Sequence, residues 1–153
     1  DAADNNSSGT ECALLAVYDP EGGFVTGGGW IMSPAGAFPA EPALTGKANF
    51  GFVSKYKKGA DTPTGQTQFQ FKAGDLNFHS TSYEWLVVAG NKAQFKGEGT
   101  INGQGSHMFK IWADDDDPDT FRIRIGDDTE MVYDNGSQQA LGGGSIKVQS
   151  QPA

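Results

Sequence analysis

The sequence lacks several features that identify common classes of protein. It has one cysteine, Cys12, so no disulfide forms within the chain, and its place in the apolar run CALLAV predicts a buried thiol. No apolar run approaches the roughly 18 residues of a membrane span, so we predict none. Basic residues are few, because 11 Lys and Arg stand against 19 Asp and Glu, a net charge of −8. Since phosphate recognition depends on basic side chains, this balance argues against a nucleic-acid partner and favours cations.

Helical periodicity and catalytic motifs are also missing. No helix-length segment repeats its apolar residues every 3.6 positions. The two histidines, His79 and His107, lack the spacing of a transition-metal site, and there is neither a nucleophile elbow nor a phosphate-binding loop. We therefore predict a protein that is not an enzyme. A pair of glycosidase carboxylates among the many acidic residues stays open as an alternative.

The 153-residue chain contains 22 glycines and many short segments in which apolar and polar residues alternate. Phe50, Phe52 and Tyr56 fall on one face of a strand, and Phe69 and Phe71 on one face of the next. About eleven strands are predicted, at Cys12–Tyr18, Gly29–Met32, Ala48–Tyr56, Gln66–Ala73, Leu76–His79, Glu84–Ala89, Lys92–Ile101, His107–Ala113, Phe121–Ile125, Met131–Asp134 and Ser145–Gln149. The pattern predicts an all-β fold, an antiparallel β-sandwich with a jelly-roll-like closure, as a single domain over residues 12–153. Residues 1–11 are polar and small, which predicts a flexible N-terminal arm.

The most unusual stretch is ADDDDPDT, residues 113–120, which concentrates carboxylates in one turn between two strands. A meander through the next two strands is expected to bring Asp134 and Asn135 to the same end of the sheet. Carboxylate and amide oxygens without His or Cys are the ligands that calcium prefers. The sequence therefore predicts a Ca²⁺ site with the ligands Asp114, Asp115, Asp116, Asp117, Asp119, Asp134 and Asn135.

Alternatives to this site stay open. Acidic turns are usually solvated, because Asp is a good turn residue and surface charge favours solubility. The run also does not match the EF-hand spacing. A second and weaker group of acidic residues is Asp127, Asp128 and Glu130.

Trp112 is the candidate for ligand stacking. It alternates with Ile111, so it points to the face that also carries Lys110 and Met108. An outward Trp stacks on sugar rings or fills a pocket of a partner, so a secreted carbohydrate-binding module with a cell-surface glycan as partner is the alternative function. In a two-sheet fold, however, aromatic side chains usually belong to the core.

The two ends of the chain suggest assembly. The arm leads into Ala13, Leu14, Leu15, Ala16 and Val17, a continuous apolar run that can pair with the edge of a sheet. Leu141–Gly144 reads as a hinge before the last strand. A mobile terminal strand can complete the sheet of a neighbouring copy and so make a homopolymer, although pairing of the first and last strands within one chain is the alternative.

A family resemblance is carried by four groups of residues. They are FVTGGGWI at 24–31, GKANFGF at 46–52, LNFHS at 76–80, and FRIRI at 121–125 with VYDN at 132–135. In these the chain resembles the β-rich domain that follows choice-of-anchor modules in secreted bacterial surface proteins. It is also similar to calcium-stabilised extracellular fibre subunits that polymerise by strand exchange. The resemblance implies an extracellular, cell-surface location and a binding or structural function. The chain begins with Asp1 and not with Met, which is consistent with removal of a signal peptide.

Overall fold

A computed structural model describes residues 23–56, 62–126 and 129–149, and most of these residues lie in strands. The ten strands are β1 (Phe24–Ser33), β2 (Gly46–Lys55), β3 (Thr64–Phe71), β4 (Leu76–Ala89), β5 (Lys92–Ile101), β6 (Gln104–Asp114), β7 (Thr120–Gly126), β8 (Met131–Asp134), β9 (Gln139–Ala140) and β10 (Gly143–Gln149). One turn of 3₁₀ helix, Lys72–Gly74, links β3 to β4.

Alternation of apolar and polar residues explains these strands. Phe121, Ile123 and Ile125 of β7 are fully buried, whereas the arginines between them are partly exposed. Successive side chains of a strand point to opposite faces, so one face of each strand joins the core and the other meets solvent. The described residues share one hydrophobic core, which is rich in phenylalanine.

The strands form one antiparallel sheet in the order β10-β1-β2-β3-β4-β5-β6-β7-β8, and β9 pairs with β7 beyond the end of β8. Consecutive strands are neighbours from β1 to β8. β10 returns to the first strand, because it pairs with β1. The order is therefore a meander and not the two Greek keys of a jelly roll.

The sheet folds over on itself, and β4 is the strand that makes the bend. Its register with β5 shifts twice, between Ser80 and Ser82 and between Tyr83 and Trp85. Such bulges bend and twist a strand. Rings from the two halves of the sheet then meet in the core: Phe50 of β2 stacks on Phe121 of β7, with ring centroids 4.0 Å apart. The predicted all-β antiparallel sandwich is thus confirmed.

The two glycine runs of the sequence face each other across β1 and β10. Gly29 is paired with Gly144, and a Cβ atom on either would overlap the backbone of the other strand. Trp30 lies over Gly142 and Gly143, where side chains would collide with its ring. The glycines are therefore needed for close approach, and the predicted hinge at Leu141–Gly144 is wrong because β10 already begins at Gly143.

Other predicted boundaries also change. The segments predicted as Leu76–His79 and Glu84–Ala89 form one continuous strand, β4, because the bulges carry the chain through the polar residues between them. β1 begins at Phe24, five residues before the predicted start. The predicted strand Cys12–Tyr18 and the N-terminal arm lie outside the described residues.

Candidate functional site

The acidic loop, residues 115–119, lies against the outer edge of β10. Asp119 Oδ2 accepts the backbone N–H of Ile146 at 2.8 Å, and Asp115 Oδ2 accepts that of Val148 at 3.1 Å. These two N–H groups belong to alternate residues of β10 and point away from β1. Unpaired N–H groups at a sheet edge invite pairing with another chain. The two carboxylates accept the N–H groups that a further strand would otherwise accept at this edge.

The same loop is held in shape by its own aspartates. Asp119 Oδ1 accepts the N–H of Asp116 at 2.9 Å, and Asp116 Oδ1 accepts that of Asp117 at 3.1 Å. Side chains of Asp commonly bond to nearby backbone in this way, which is why the residue is favoured in turns. Asn91 fastens the loop to the β4–β5 turn, because it exchanges two hydrogen bonds with the backbone of Asp115.

Asp114 ends β6 and belongs to a separate contact. Its carboxylate is 2.8 Å from Lys92 Nζ, on the residue directly opposite in β5. The hydrogen bond and the charge of Asp114 raise the pKa of Lys92. Asp114 is 8% exposed, so this cation supplies the partner that a nearly buried carboxylate requires.

Asp134 does not pair beside the acidic loop, so that expectation is wrong for this residue, and Asn135 reaches Phe121 but bonds to β7 and not to the loop. β8 ends opposite Arg124, which is four residues, or about 13 Å, along β7 from Thr120 at the loop. Asp134 instead forms a bidentate ion pair with Arg122, at 3.1 and 3.0 Å. It is β9, through Ala140, that pairs with Thr120 next to the loop.

Asn135 has a structural function that the sequence did not suggest. Its Oδ1 accepts the N–H of Ile123 at 2.9 Å, and its Nδ2 donates to the carbonyl of Phe121 at 3.2 Å. These β7 groups lie in the gap between the residues that pair with β8 and those that pair with β9. A buried amide side chain thus substitutes for backbone pairing at the gap.

The loop contains carboxylate oxygen atoms that could bind a cation, but half of them already accept a backbone N–H. Asp115 and Asp119 each hold a β10 amide, whereas the Asp117 carboxylate has no partner in the described part of the chain. Across residues 23–56, 62–126 and 129–149, no three Asp, Glu, His or Cys side chains converge as metal ligands. Calcium binding stays a prediction. Of the second acidic group, Asp127 and Asp128 lie outside the described residues.

Trp112 lies on the outer face of β6, opposite the buried Ile111, where the sequence placed it. Its ring is covered by cations: the guanidinium of Arg122 is 4.3 Å from the ring centroid and Lys110 Nζ is 4.7 Å away. Lys110 Nζ also lies 5.4 Å from the Trp85 ring. A ligand at this face would therefore contact basic side chains as well as aromatic rings. Sequence reasoning placed Lys110 on this face but missed Arg122, although the alternation in FRIRI puts it on the outer face.

The edges of the sheet are covered by contacts other than strand pairing. At the β8 edge, Asp134 N–H donates to the carbonyl of Ala37, in the β1–β2 connection. β4 pairs with strands on both sides only at Phe78 and His79, and Ser82–Ala89 pairs with β5 alone among the described strands. Midway along that half, Tyr56 Oη accepts the N–H of Leu86 at 3.0 Å and donates to its carbonyl at 2.9 Å.

Comparison of the chain with models of known protein families, with curated proteins and with solved structures finds no match. The resemblance to domains of bacterial surface proteins therefore rests on the sequence motifs. Among the described residues, no helix is long and apolar enough to cross a membrane.

Proposed function

We propose that the protein is an extracellular structural subunit, not an enzyme, that assembles when the segment Ala13–Val17 of one copy adds as a strand to β4 of another. The observation that supports this is the half of β4 that lacks a second neighbour among the described strands. Leu86 turns its N–H and C=O away from β5 toward Tyr56, so Val88, two residues on, does the same. An added strand finds backbone partners there.

The place where the described chain begins also favours this edge. Gly23, which precedes β1, lies against Val88, since an added Cβ would be 3.2 Å from its Cγ2. The apolar segment ends six residues before Gly23, so its attachment point is at the β4 edge. β10, by contrast, pairs with β1 of its own chain. Of the two termini, the N-terminal one is therefore the candidate for exchange.

Exchange between copies is favoured over pairing within one copy by the composition of the segment. Ala13–Val17 is apolar at every position, so a strand at the sheet edge would turn apolar side chains outward as well as inward. Val87, which is 56% exposed, already presents an apolar side chain on the outer face of β4. Contact with a neighbouring subunit would remove Val87 and the outward side chains of the added strand from water.

Calcium is the proposed second component of the assembly. The carboxylate of Asp117 and the remaining oxygen of Asp116 are the first ligands in this proposal. Asp115 and Asp119 would be shared between the ion and the β10 amides. An ion at the loop would offset the repulsion among neighbouring carboxylates and so fix β10 at the end of the sheet.

The single native cysteine allows a direct test. Val87→Cys places a thiol on β4, and mild oxidation of the purified full-length variant would join it to Cys12 if the two segments pair. Covalent ladders on a non-reducing gel are expected. Met32→Cys is the matched control, because Met32 is 55% exposed and lies at the other end of β1 from Gly23. A disulfide formed only within single chains would refute exchange, and equal ladders from both variants would refute the β4 site.

A further inference from the structure

The outer face of the sheet carries a row of like charges. Lys96 of β5 is directly opposite Lys110 of β6, which is directly opposite Arg124 of β7. Side chains at such positions have Cβ atoms only about 4.5–5.5 Å apart, and like charges there are destabilising. The chain has 11 basic residues against 19 acidic ones. Three of those few cations lie in one row, and Lys110 at its centre has no carboxylate partner among the described residues, which points to an anionic ligand.

Aromatic rings border the row on two sides. Trp85 is the residue opposite Lys96, and Trp112 lies next to Lys110 on the same face of β6. Lys110 Nζ lies between these rings, 5.4 Å from one centroid and 4.7 Å from the other. Cation–π contacts of this kind position an ammonium group without neutralising it. The face thus combines positive charge with flat apolar surface.

Carboxylates at the margins of this face pair with two of its cations. Asp134 is bound to Arg122, and Glu84 Oε1 is 3.9 Å from Lys96 Nζ. Lys110 forms no ion pair with any described residue. A shallow depression of about 290 Å³ opens beside it, and Trp85, Lys96, Met108 and Arg124 are among the residues that line it. Its volume is near the lower end of the range for small-ligand sites.

We propose that this face binds an acidic polysaccharide, a chain of sugar rings that carry carboxylates. Carboxylates form charge-assisted hydrogen bonds with Lys and Arg, and the apolar faces of sugar rings pack on Trp. A uronate chain has one charge per sugar ring. Double-stranded nucleic acid has a denser charge, one per about 1.7 Å of its axis, which a protein of net charge −8 repels more strongly. The site is independent of the strand exchange and would give the subunit its adhesion target.

The test is isothermal titration calorimetry of the full chain with polygalacturonate, in EDTA so that calcium does not bridge the polymer. The same polymer with its carboxylates methyl-esterified is the matched ligand, and single-stranded DNA is the third. Lys96→Gln/Lys110→Gln is the test variant. Lys47→Gln is the control, because Lys47 Nζ also lies over a tryptophan, 4.5 Å from the Trp30 centroid, but on β2.

Binding of polygalacturonate that weakens with salt is expected, together with loss of affinity of roughly ten-fold or more in the double variant and little change in the control. The double variant should melt close to the original chain, because removal of the like-charge contact offsets the loss of the cation–π contacts of Lys110 and of the long Glu84–Lys96 ion pair. Absence of binding, equal binding of the esterified polymer, or an equal loss in both variants would overturn the proposal. Tighter binding of DNA would assign the face to nucleic acid instead.

Discussion

Replacing Asp119 by Ala is expected to destabilise the protein far more than replacing Asp117 by Ala. The Asp119 carboxylate accepts two backbone N–H groups, from Asp116 and from Ile146, whereas that of Asp117 has no partner among the described residues. A hydrogen bond to a charged group contributes about 1.5–3 kcal/mol, and the loop is partly exposed, so we expect a loss of about 2–4 kcal/mol. That is a large fraction of the stability of an ordinary domain.

Urea unfolding followed by tryptophan fluorescence in EDTA measures this difference. Both substitutions remove one negative charge from one loop, so the change in net charge cancels in the comparison. The Asp117 variant should stay within about 0.5 kcal/mol of the original chain, as surface substitutions usually do. Amide hydrogen exchange adds residue-level detail, because the N–H of Ile146 should exchange faster in the Asp119 variant. Equal stabilities of the two variants, with unchanged exchange at Ile146, would refute the claim that carboxylates close the β10 edge.

Three further predictions follow from the structure. Tyr56→Phe frees the N–H and C=O of Leu86, so it should lower the free energy of unfolding by about 1–2 kcal/mol. It should also increase assembly, measured by size-exclusion chromatography at several protein concentrations. Unchanged or reduced assembly would contradict the β4 proposal. Burial raises the pKa of Tyr133 to about 12, above its usual value near 10, so the neutral hydroxyl is favoured in the folded state. This preference contributes about 2–3 kcal/mol to the free energy of unfolding, which is fully present below pH 10 and is lost as the pH rises toward 12. An equal decrease in the free energy of unfolding over this pH range in Tyr133→Phe would disprove it. Calcium at a hundredfold excess over its Kd should raise the free energy of unfolding by about 2.7 kcal/mol. This increase should disappear in the variant Asp116→Asn/Asp117→Asn. A melting temperature that is the same in Ca²⁺ and in EDTA would refute calcium binding.

Much of the fold could be predicted because the strand signal is local. The alternation in FRIRI predicts a strand with one buried face, and β7 has that form. Strand order was less accessible, because the return of β10 to β1 joins residues more than a hundred positions apart. No local pattern encodes that contact.

The acidic loop shows why residue type alone does not determine a site. Its carboxylates were predicted as calcium ligands because of their chemical type and their density in one turn. The partner of Asp119 is a backbone N–H 27 residues away, on a strand that only the folded topology brings to the loop. Backbone donors carry no signature in the sequence, so this use of a carboxylate could not be predicted.

The cationic row was hidden by a bulge. Counting back from the Asn102–Gly103 turn with Ile101 opposite Gln104 would place Lys96 opposite Phe109. The register shifts by one residue between Gly99 and Ile101, and this shift puts Lys96 opposite Lys110. A one-residue change in register moves every cross-strand pair, so the row becomes visible only in the structure.

Electron microscopy of the purified full-length protein, with Ca²⁺ and with EDTA, tests the central claim of strand-exchange assembly most directly, alongside a variant with Leu15→Pro. Proline within the added strand removes a backbone donor and should prevent pairing. Filaments are expected for the original chain in Ca²⁺, shorter or frayed filaments in EDTA, and single subunits for the variant. Single subunits of the original chain under both conditions, or filaments that persist in the Leu15→Pro variant, would contradict that claim.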